Sequence, residues 1–169
     1  GKGVAIAGFG PLVERLEMNM TDPSPSLDAD TRSTRKAPHP FLSDINVRKA
    51  LSMAIDRPLL VEIGYGKAGD VTCDLVPAPD LYAAKNTHCL KQDIAGANAL
   101  LDKAGWKKGS DGIRAKDGVK ISILYQTSTN AVRQDFQALI KEWWTQIGVE
   151  TELRNLNASV FFGGEPGSP

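Results

Sequence analysis

The sequence predicts an α/β domain in which helices pack against a mixed sheet that contains a β-α-β unit. An amphipathic helix is predicted over about residues 131–147, between strand-like segments at 119–125 and 149–156. Short links between a strand, a helix and a second strand are typical of parallel pairing with a right-handed crossover. The chain has 169 residues, of which 41% are hydrophobic and 24% charged. That size suits one core, so we expect residues 1–169 to form a single domain.

Loops and helices are predicted before this unit. Residues 12–20 alternate apolar and polar side chains, which predicts a strand with one buried face. Residues 21–43 are rich in Pro, Ser, Asp and Thr and are expected to form a long surface loop. Three helices follow from caps and apolar spacing: one capped by Ser43 or Asp44, one with Pro58 in its first turn and Leu59, Leu60 and Ile63 inward, and one between Asp93 and Gly105.

The β-α-β unit is preceded by a hairpin signal. The Asp117-Gly118 pair is typical of a tight turn and predicts that residues 112–116 pair with a strand from Val119 to Tyr125. The long helix is expected to end at Gly148 and to bury one apolar stripe, with both neighbouring tryptophans in or beside the core. The stripe and the second tryptophan are Val132, Phe136, Leu139, Ile140, Trp143, Ile147 and Trp144.

Charge and motifs weigh against several function classes. Twenty basic residues balance 20 acidic ones, so the chain has no net positive charge for binding nucleic acid. The GYGKAG run at 64–69 follows a predicted helix, whereas a dinucleotide-binding G-x-G-x-x-G follows a strand. His39 and His88 have no Ser or Cys at a spacing typical of a nucleophile. A small hydrolase-like enzyme and an interaction domain with an exposed strand edge remain the alternatives.

Two cysteines, Cys73 and Cys89, flank a segment rich in proline and polar residues. Such a loop has little core of its own, so a disulfide is the favoured interpretation, with a stabilisation of about 3 kcal/mol. Two reduced buried thiols are the alternative. A metal site that uses His88 as a third ligand is disfavoured, because the usual ligand spacing is missing. We expect no metal and no cofactor.

A polar segment lies between the predicted strand and the long helix. It reads Gln126-Thr127-Ser128-Thr129-Asn130. Ligands of α/β proteins bind outside the carboxyl ends of strands, and a helix N-terminus offers free N–H groups to a carboxylate. We therefore expect Gln126, Thr127, Ser128 and Asn130 to contact a polar ligand. The simpler interpretation is that Ser128 or Thr129 only caps the helix.

Several segments resemble one family. Residues 40–57, PFLSDINVRKALSMAIDR, resemble a signature segment of the bacterial extracellular solute-binding proteins of family 5, the oligopeptide- and dipeptide-binding components of ABC importers. Further resemblances follow in the family's order at 93–106, 123–128 and 143–153, and one precedes the signature at 16–19. Together they cover roughly residues 12–165.

The resemblance implies one lobe of a two-lobed clamshell of the type II periplasmic-binding-protein fold, in which this chain would be the core of the C-terminal lobe and residues 165–169 a truncated tail. It implies a non-enzymatic, periplasmic protein that binds a peptide or similar small solute and delivers it to ABC permease subunits in the membrane. That setting supports the disulfide. By position, Gln126 and Asn130 face the ligand, and Asn157 and Ala158, which follow the second strand, are expected to contact it as well. Family members often have an aromatic residue where this chain has Ala158. An excised lobe is also expected to self-associate.

Overall fold

The computed structural model describes residues 2–4, 6 and 8–164, so the expected tail at 165–169 lies outside the described residues. The described residues form two compact units. The sheet unit contains residues 17–54 and those from 93 onward, and the disulfide unit contains residues 55–92 and those before 17. The prediction that residues 1–169 form a single domain stays a prediction. None of the described helices is both long and apolar enough to cross a membrane.

The predicted helices, hairpin and β-α-β unit occur in the predicted order, together with two short elements at 107–108 and 158–161 that the sequence pattern does not predict. The elements are α1 (Ile45–Met53), α2 (Arg57–Gly64), α3 (Ile94–Lys103), β1 (Lys107–Lys108), β2 (Arg114–Lys116), β3 (Val119–Lys120), β4 (Ser122–Ser128), α4 (Ala131–Gln146), β5 (Glu150–Leu156) and α5 (Ala158–Phe161). In the disulfide unit α2 is followed by a 3₁₀ turn, Gly66–Ala68. The GYGKAG run thus joins a helix to this turn, which is not the strand-to-helix setting of a dinucleotide site.

The α/β fold class is confirmed. Strands β4 and β5 pair in parallel from Ser122 opposite Glu150 to Ser128 opposite Leu156, with α4 as the crossover between them. Strands β1, β2 and β3 form a separate antiparallel sheet. The turn between β2 and β3 has positive φ at both Asp117 (50°) and Gly118 (80°), as a type I′ hairpin requires.

The predicted strand 119–125 is two strands, β3 and β4, and Ile121 is the residue between them. Its N–H donates to Arg114 O at 2.9 Å, whereas its carbonyl accepts Glu150 N at 3.0 Å. One residue therefore bonds to the hairpin on its amide side and to β5 on its carbonyl side. Ile121 is fully buried.

The predicted strand at 12–20 is wrong. Leu12 is 95% exposed and Met20 53% exposed, and no strand includes these positions among the described residues. Alternation predicts a strand only where a neighbouring strand completes the hydrogen bonds. Here the nearest pairing is an isolated bridge between Thr21 and Pro38, which joins the two ends of the 21–43 loop.

The helix caps explain where the helices begin. Asp44 accepts the Asn46 N–H at 2.8 Å and Asp93 accepts the Gly96 N–H at 2.7 Å, as a capping side chain does. Helix α4 is capped by Asn130, which accepts the Arg133 N–H at 3.1 Å, rather than by Ser128 or Thr129. A two-residue error of this kind is expected where several residues in a row are good caps.

The expected core of α4 is present, and that of α2 is not. The buried residues of α4 and its C-cap include Phe136, Ile140, Trp143, Trp144 and Ile147, whereas Val132 and Leu139 of the predicted stripe are only half-buried. By contrast, none of the eight described residues of α2 is buried, and Ile63 is 49% exposed. The inward position predicted for Ile63 is therefore wrong, because helical spacing identifies an apolar face but not what covers it.

Candidate functional site

The parallel register brings two turns to one edge of the β4–β5 sheet. Ser128 and Leu156 are opposite each other at the ends of the two strands, and the Thr129 N–H donates to Leu156 O at 2.9 Å. We call residues 126–130 and 156–158 the carboxyl edge. All six residues expected at the ligand, from both segments, lie in it. It is the position at which open α/β sheets bind ligands.

Gln126 is the member of the carboxyl edge with an unused polar atom. Its Oε1 is buried and has no hydrogen-bond partner among the described residues. A buried acceptor without a donor costs about 1–3 kcal/mol, so this carbonyl favours any group that brings it an N–H or O–H. Thr127 and Ser128 differ from it, since they are only 8% and 2% exposed and their side chains are covered.

The two asparagines of the edge each begin a helix. Asn130 Oδ1 caps α4, and Asn157 Oδ1 accepts the backbone N–H (2.9 Å) and the hydroxyl (2.8 Å) of Ser159 in α5. These caps use the oxygen of each amide and not its NH₂ group, which is a donor. Ala158, the first residue of α5, is exposed and leaves the edge open at that point.

Arg133 adds a positive charge one turn into α4. Its guanidinium lies 5.5 Å from the centre of the Phe162 ring, and Nη1 lies 3.5 Å from Ser128 Oγ. The first turn of α4 also carries the positive end of the helix dipole. Amide donors, a cation and a helix N-terminus together suit a carboxylate or a peptide carbonyl. Sequence reasoning missed Arg133, although its place in the first turn of a helix that follows a polar strand end is a usable signal.

Among the described residues, neither histidine side chain is hydrogen-bonded to a Ser or Cys nucleophile. His39 Nδ1 accepts the N–H groups of Phe41 (3.3 Å) and Leu42 (3.1 Å), so it fixes the turn before α1. Burial of the ring lowers the pKa of His39, which keeps it neutral in this role. His88 is exposed. The described residues contain no group of three potential metal ligands.

The two cysteines form the expected disulfide. Cys73 and Cys89 are bonded, with their Cα atoms 5.7 Å apart and a sequence separation of 16. Inside the closed loop, the Asp74 carboxylate accepts the N–H groups of Lys85 (2.7 Å) and Asn86 (3.1 Å). The prediction of a disulfide is thus confirmed, and a polar contact that the sequence does not reveal closes the same loop.

Comparison with known proteins identifies relatives along most of the chain. The sequence profile of the "Bacterial extracellular solute-binding proteins, family 5 Middle" matches residues 6–165. Protein XP55 of Streptomyces lividans is 35% identical over 69% of this chain, and the periplasmic murein peptide-binding protein MppA of Escherichia coli is 31% identical over 73%.

Solved structures of solute-binding proteins are also similar to most of this chain. The oligopeptide-binding protein AppA of Bacillus subtilis, in complex with a nonapeptide, covers 71% of this chain with a TM-score of 0.62 and 30% identity. An oligopeptide-binding protein of Thermus thermophilus, complexed with a pentapeptide, covers 72% with a TM-score of 0.65 and 30% identity. NikZ of Campylobacter jejuni, in complex with Ni(L-His), covers 73% with a TM-score of 0.65 and 27% identity.

The chain spans only part of each relative. It matches 22% of the length of Protein XP55 and of MppA, and 25% of the AppA chain. The similarity therefore concerns one segment of a larger fold.

Proposed function

Because the chain belongs to the bacterial extracellular solute-binding proteins of family 5, we propose that it is part of the substrate-binding component of a peptide-type ABC importer. In this proposal it supplies the core of the C-terminal lobe of a two-lobed clamshell. The carboxyl edge contacts a peptide or similar small solute, and the whole periplasmic protein delivers that solute to permease subunits in the membrane.

One observation carries the assignment of the site. Because β4 and β5 are parallel and in register, they end side by side, and Gln126, Asn130 and Asn157 lie along one edge of the sheet. A peptide backbone presents alternating carbonyl and N–H groups. The buried Gln126 Oε1 can accept an N–H of such a ligand, while the amide donors of the asparagines can serve its carbonyls.

The ligands of the relatives support a peptide more than any other class. Two of the structural neighbours hold a nonapeptide and a pentapeptide, and a third holds a nickel complex of histidine. All three ligands carry carboxylates and amine or amide nitrogens. Arg133 and the N-terminus of α4 offer the positive electrostatic potential that carboxylates favour.

The experiment measures solute capture by the full-length protein with two defined probes. A random pentapeptide library and Ni(L-His) are each incubated with the protein, and retained masses are read by native mass spectrometry. The edge variant is Ala158→Glu, which places a negative charge at an exposed position of the carboxyl edge, where it repels the carboxylate of a ligand. The matched control is Ala138→Glu, an exposed position two turns along α4.

We expect the parent and Ala138→Glu to retain one of the two probes, and Ala158→Glu to retain at least tenfold less of it. Melting temperatures should agree for all three, because both substitutions are at the surface. If the parent retains neither probe, the proposed solute class is wrong. If Ala158→Glu retains as much as the parent, the ligand does not lie at this edge.

A further inference from the structure

A buried glutamine lies behind the carboxyl edge. Gln137, in the second turn of α4, is 1% exposed and interrupts the apolar surface of the helix beside Phe136. Its Nε2 donates to Tyr125 O of β4 at 2.9 Å and reaches Arg154 O of β5 at 3.5 Å. One side chain therefore bonds α4 to both strands of the parallel pair.

Asn155 completes the contact from the other side. Its Nδ2 donates to Gln137 Oε1 at 2.7 Å and to Ser128 O at 3.3 Å. Ser128 is the last residue of β4, and Asn155 is next to the last residue of β5. The two amides thus form a chain of hydrogen bonds that runs from the helix through β5 to the end of β4.

The buried position of Gln137 is unusual for an amide, whereas its partner Asn155 is an exposed residue of β5. A buried amide loses its hydration and is tolerated only when it is hydrogen-bonded, so an apolar residue would fill the same space with less constraint. Hydrogen bonds depend on distance and direction more strictly than apolar contacts do. The bonds of Gln137 and Asn155 therefore fix the distances between α4, β4 and β5 close to the carboxyl edge, which bears Gln126, Asn130 and Asn157.

We propose that Gln137 and Asn155 are positioning residues that set the spacing between the two turns of the carboxyl edge, and through it the affinity for the solute. The effect on solute affinity rests on the proposed function, whereas the effect on the spacing of the two turns does not. Neither residue needs to touch the ligand. Without the pair, the two strands keep their backbone ladder and the Thr129 N–H to Leu156 O bond, but no described side chain of α4 ties them together at this edge.

The first measurement uses no ligand. Residue-resolved hydrogen exchange is followed in the full-length protein at two amides. One is the Thr129 N–H, whose hydrogen bond to Leu156 O joins the two turns, and the other is the Ile123 N–H inside β4. The variants are Gln137→Met, which keeps length and removes the hydrogen bonds, and Asn155→Ala, which changes a more exposed side chain in case the first variant does not fold. Gln146→Met, an exposed position at the end of α4, is the control.

We expect Thr129 to exchange about tenfold faster in both variants, as the loss of two or three hydrogen bonds predicts, and Ile123 to change less than twofold. A double variant, Gln137→Asn with Asn155→Gln, swaps the two residue types and is called the exchanged pair. It keeps both amides and their combined side-chain length. It should bring the Thr129 rate back towards that of the parent. An unchanged Thr129 rate overturns the proposal, and so does an equal acceleration at Ile123, which reports general destabilisation.

The second measurement is retention of the pentapeptide library and of Ni(L-His). Gln137→Met should retain at least fivefold less of the probe that the parent binds, and the exchanged pair should recover most of it. Retention equal to that of the parent overturns the link to affinity. If the parent itself retains neither probe, the proposed solute class fails, while the exchange rates still decide whether the pair positions the edge.

Discussion

The sheet unit relies on buried side chains, whereas the disulfide unit relies on a covalent bond and polar contacts. In the sheet unit Trp106 and Trp144 are each 3% exposed, and their indole N–H groups donate to Asp44 Oδ2 (3.0 Å) and Leu51 O (3.1 Å). In the disulfide unit α2 has no buried residue among its described positions. The 73–89 loop is instead held by the disulfide and by Asp74.

A buried arginine makes the contrast sharper. Arg114 is 2% exposed and bonds to Ile147 O (2.7 Å), Asp102 Oδ1 (2.8 Å) and Asn98 Oδ1 (2.8 Å). It thereby joins the hairpin to α3 and to the end of α4. The hydrogen bond and charge of Arg114 hold the pKa of Asp102 below its usual value, so the Asp102 carboxylate stays ionised at neutral pH.

This difference shows that one short chain combines two sources of order. A unit with a core can accommodate a fully hydrogen-bonded charge, since the surrounding packing fixes its partners. A loop without a core needs a constraint on the unfolded chain, and a disulfide supplies it. The two units should therefore respond to different perturbations.

The largest effect is expected at Arg114. Arg114→Met leaves two buried acceptors, Ile147 O and Trp106 O, without their guanidinium donor and should lower the free energy of unfolding by about 3–5 kcal/mol, at about 1–3 kcal/mol for each buried acceptor. Urea unfolding of the full-length protein followed by tryptophan fluorescence measures it. Arg35→Met, at an exposed position of the 21–43 loop, is the control and should change little. A loss below about 1 kcal/mol at Arg114 would contradict the account of the sheet unit.

Removal of the disulfide should affect the other unit. With Cys73→Ser and Cys89→Ser together, the 73–89 loop should lose about 3 kcal/mol of local stability by the chain-entropy model. Hydrogen exchange at the Asn86 N–H should therefore become much faster, while exchange at the Ile123 N–H in β4 should not change. Equal acceleration at both positions would show that the two units do not differ in the proposed way.

The smallest effect concerns acid. Hydrogen bonds from Asn86 and Lys85 lower the pKa of Asp74 from its ordinary value of 3.8. Because this pKa is lowered in the folded protein, the contribution of Asp74 to the stability of the 73–89 loop is fully present above pH 3.8. It is lost as the pH falls through the lower pKa of the folded state. Proton exchange at Lys85 and Asn86 should show a step in that acid range, which Asp74→Asn should remove. A parent without the step would exclude this role.

The β-α-β unit and the disulfide could be predicted because their signals are local. Apolar spacing in α4, the glycine after it and the alternation in β5 each lie within one element. So does the Asp117-Gly118 turn. The position of the carboxyl edge then follows from the parallel pairing that a short strand-helix-strand link imposes.

The remaining features depend on contacts between distant residues, which the sequence does not display. Arg114 is 33 residues from Ile147, and Gln137 is 18 from Asn155. A polar residue with such partners looks like any surface residue in the sequence. The failure at residues 12–20 has the same origin, since an alternating segment becomes a strand only when another strand pairs with it.

The central claim is that the carboxyl edge binds the solute, and Gln126→Met tests it most directly. The substitution removes a buried acceptor that has no donor among the described residues, so it should leave the ligand-free melting temperature unchanged or raise it. A calorimetric titration with the probe retained by the parent should show at least fivefold weaker binding. Gln146→Met should change neither quantity. Binding equal to that of the parent, or a fall in both stability and affinity, would contradict the account.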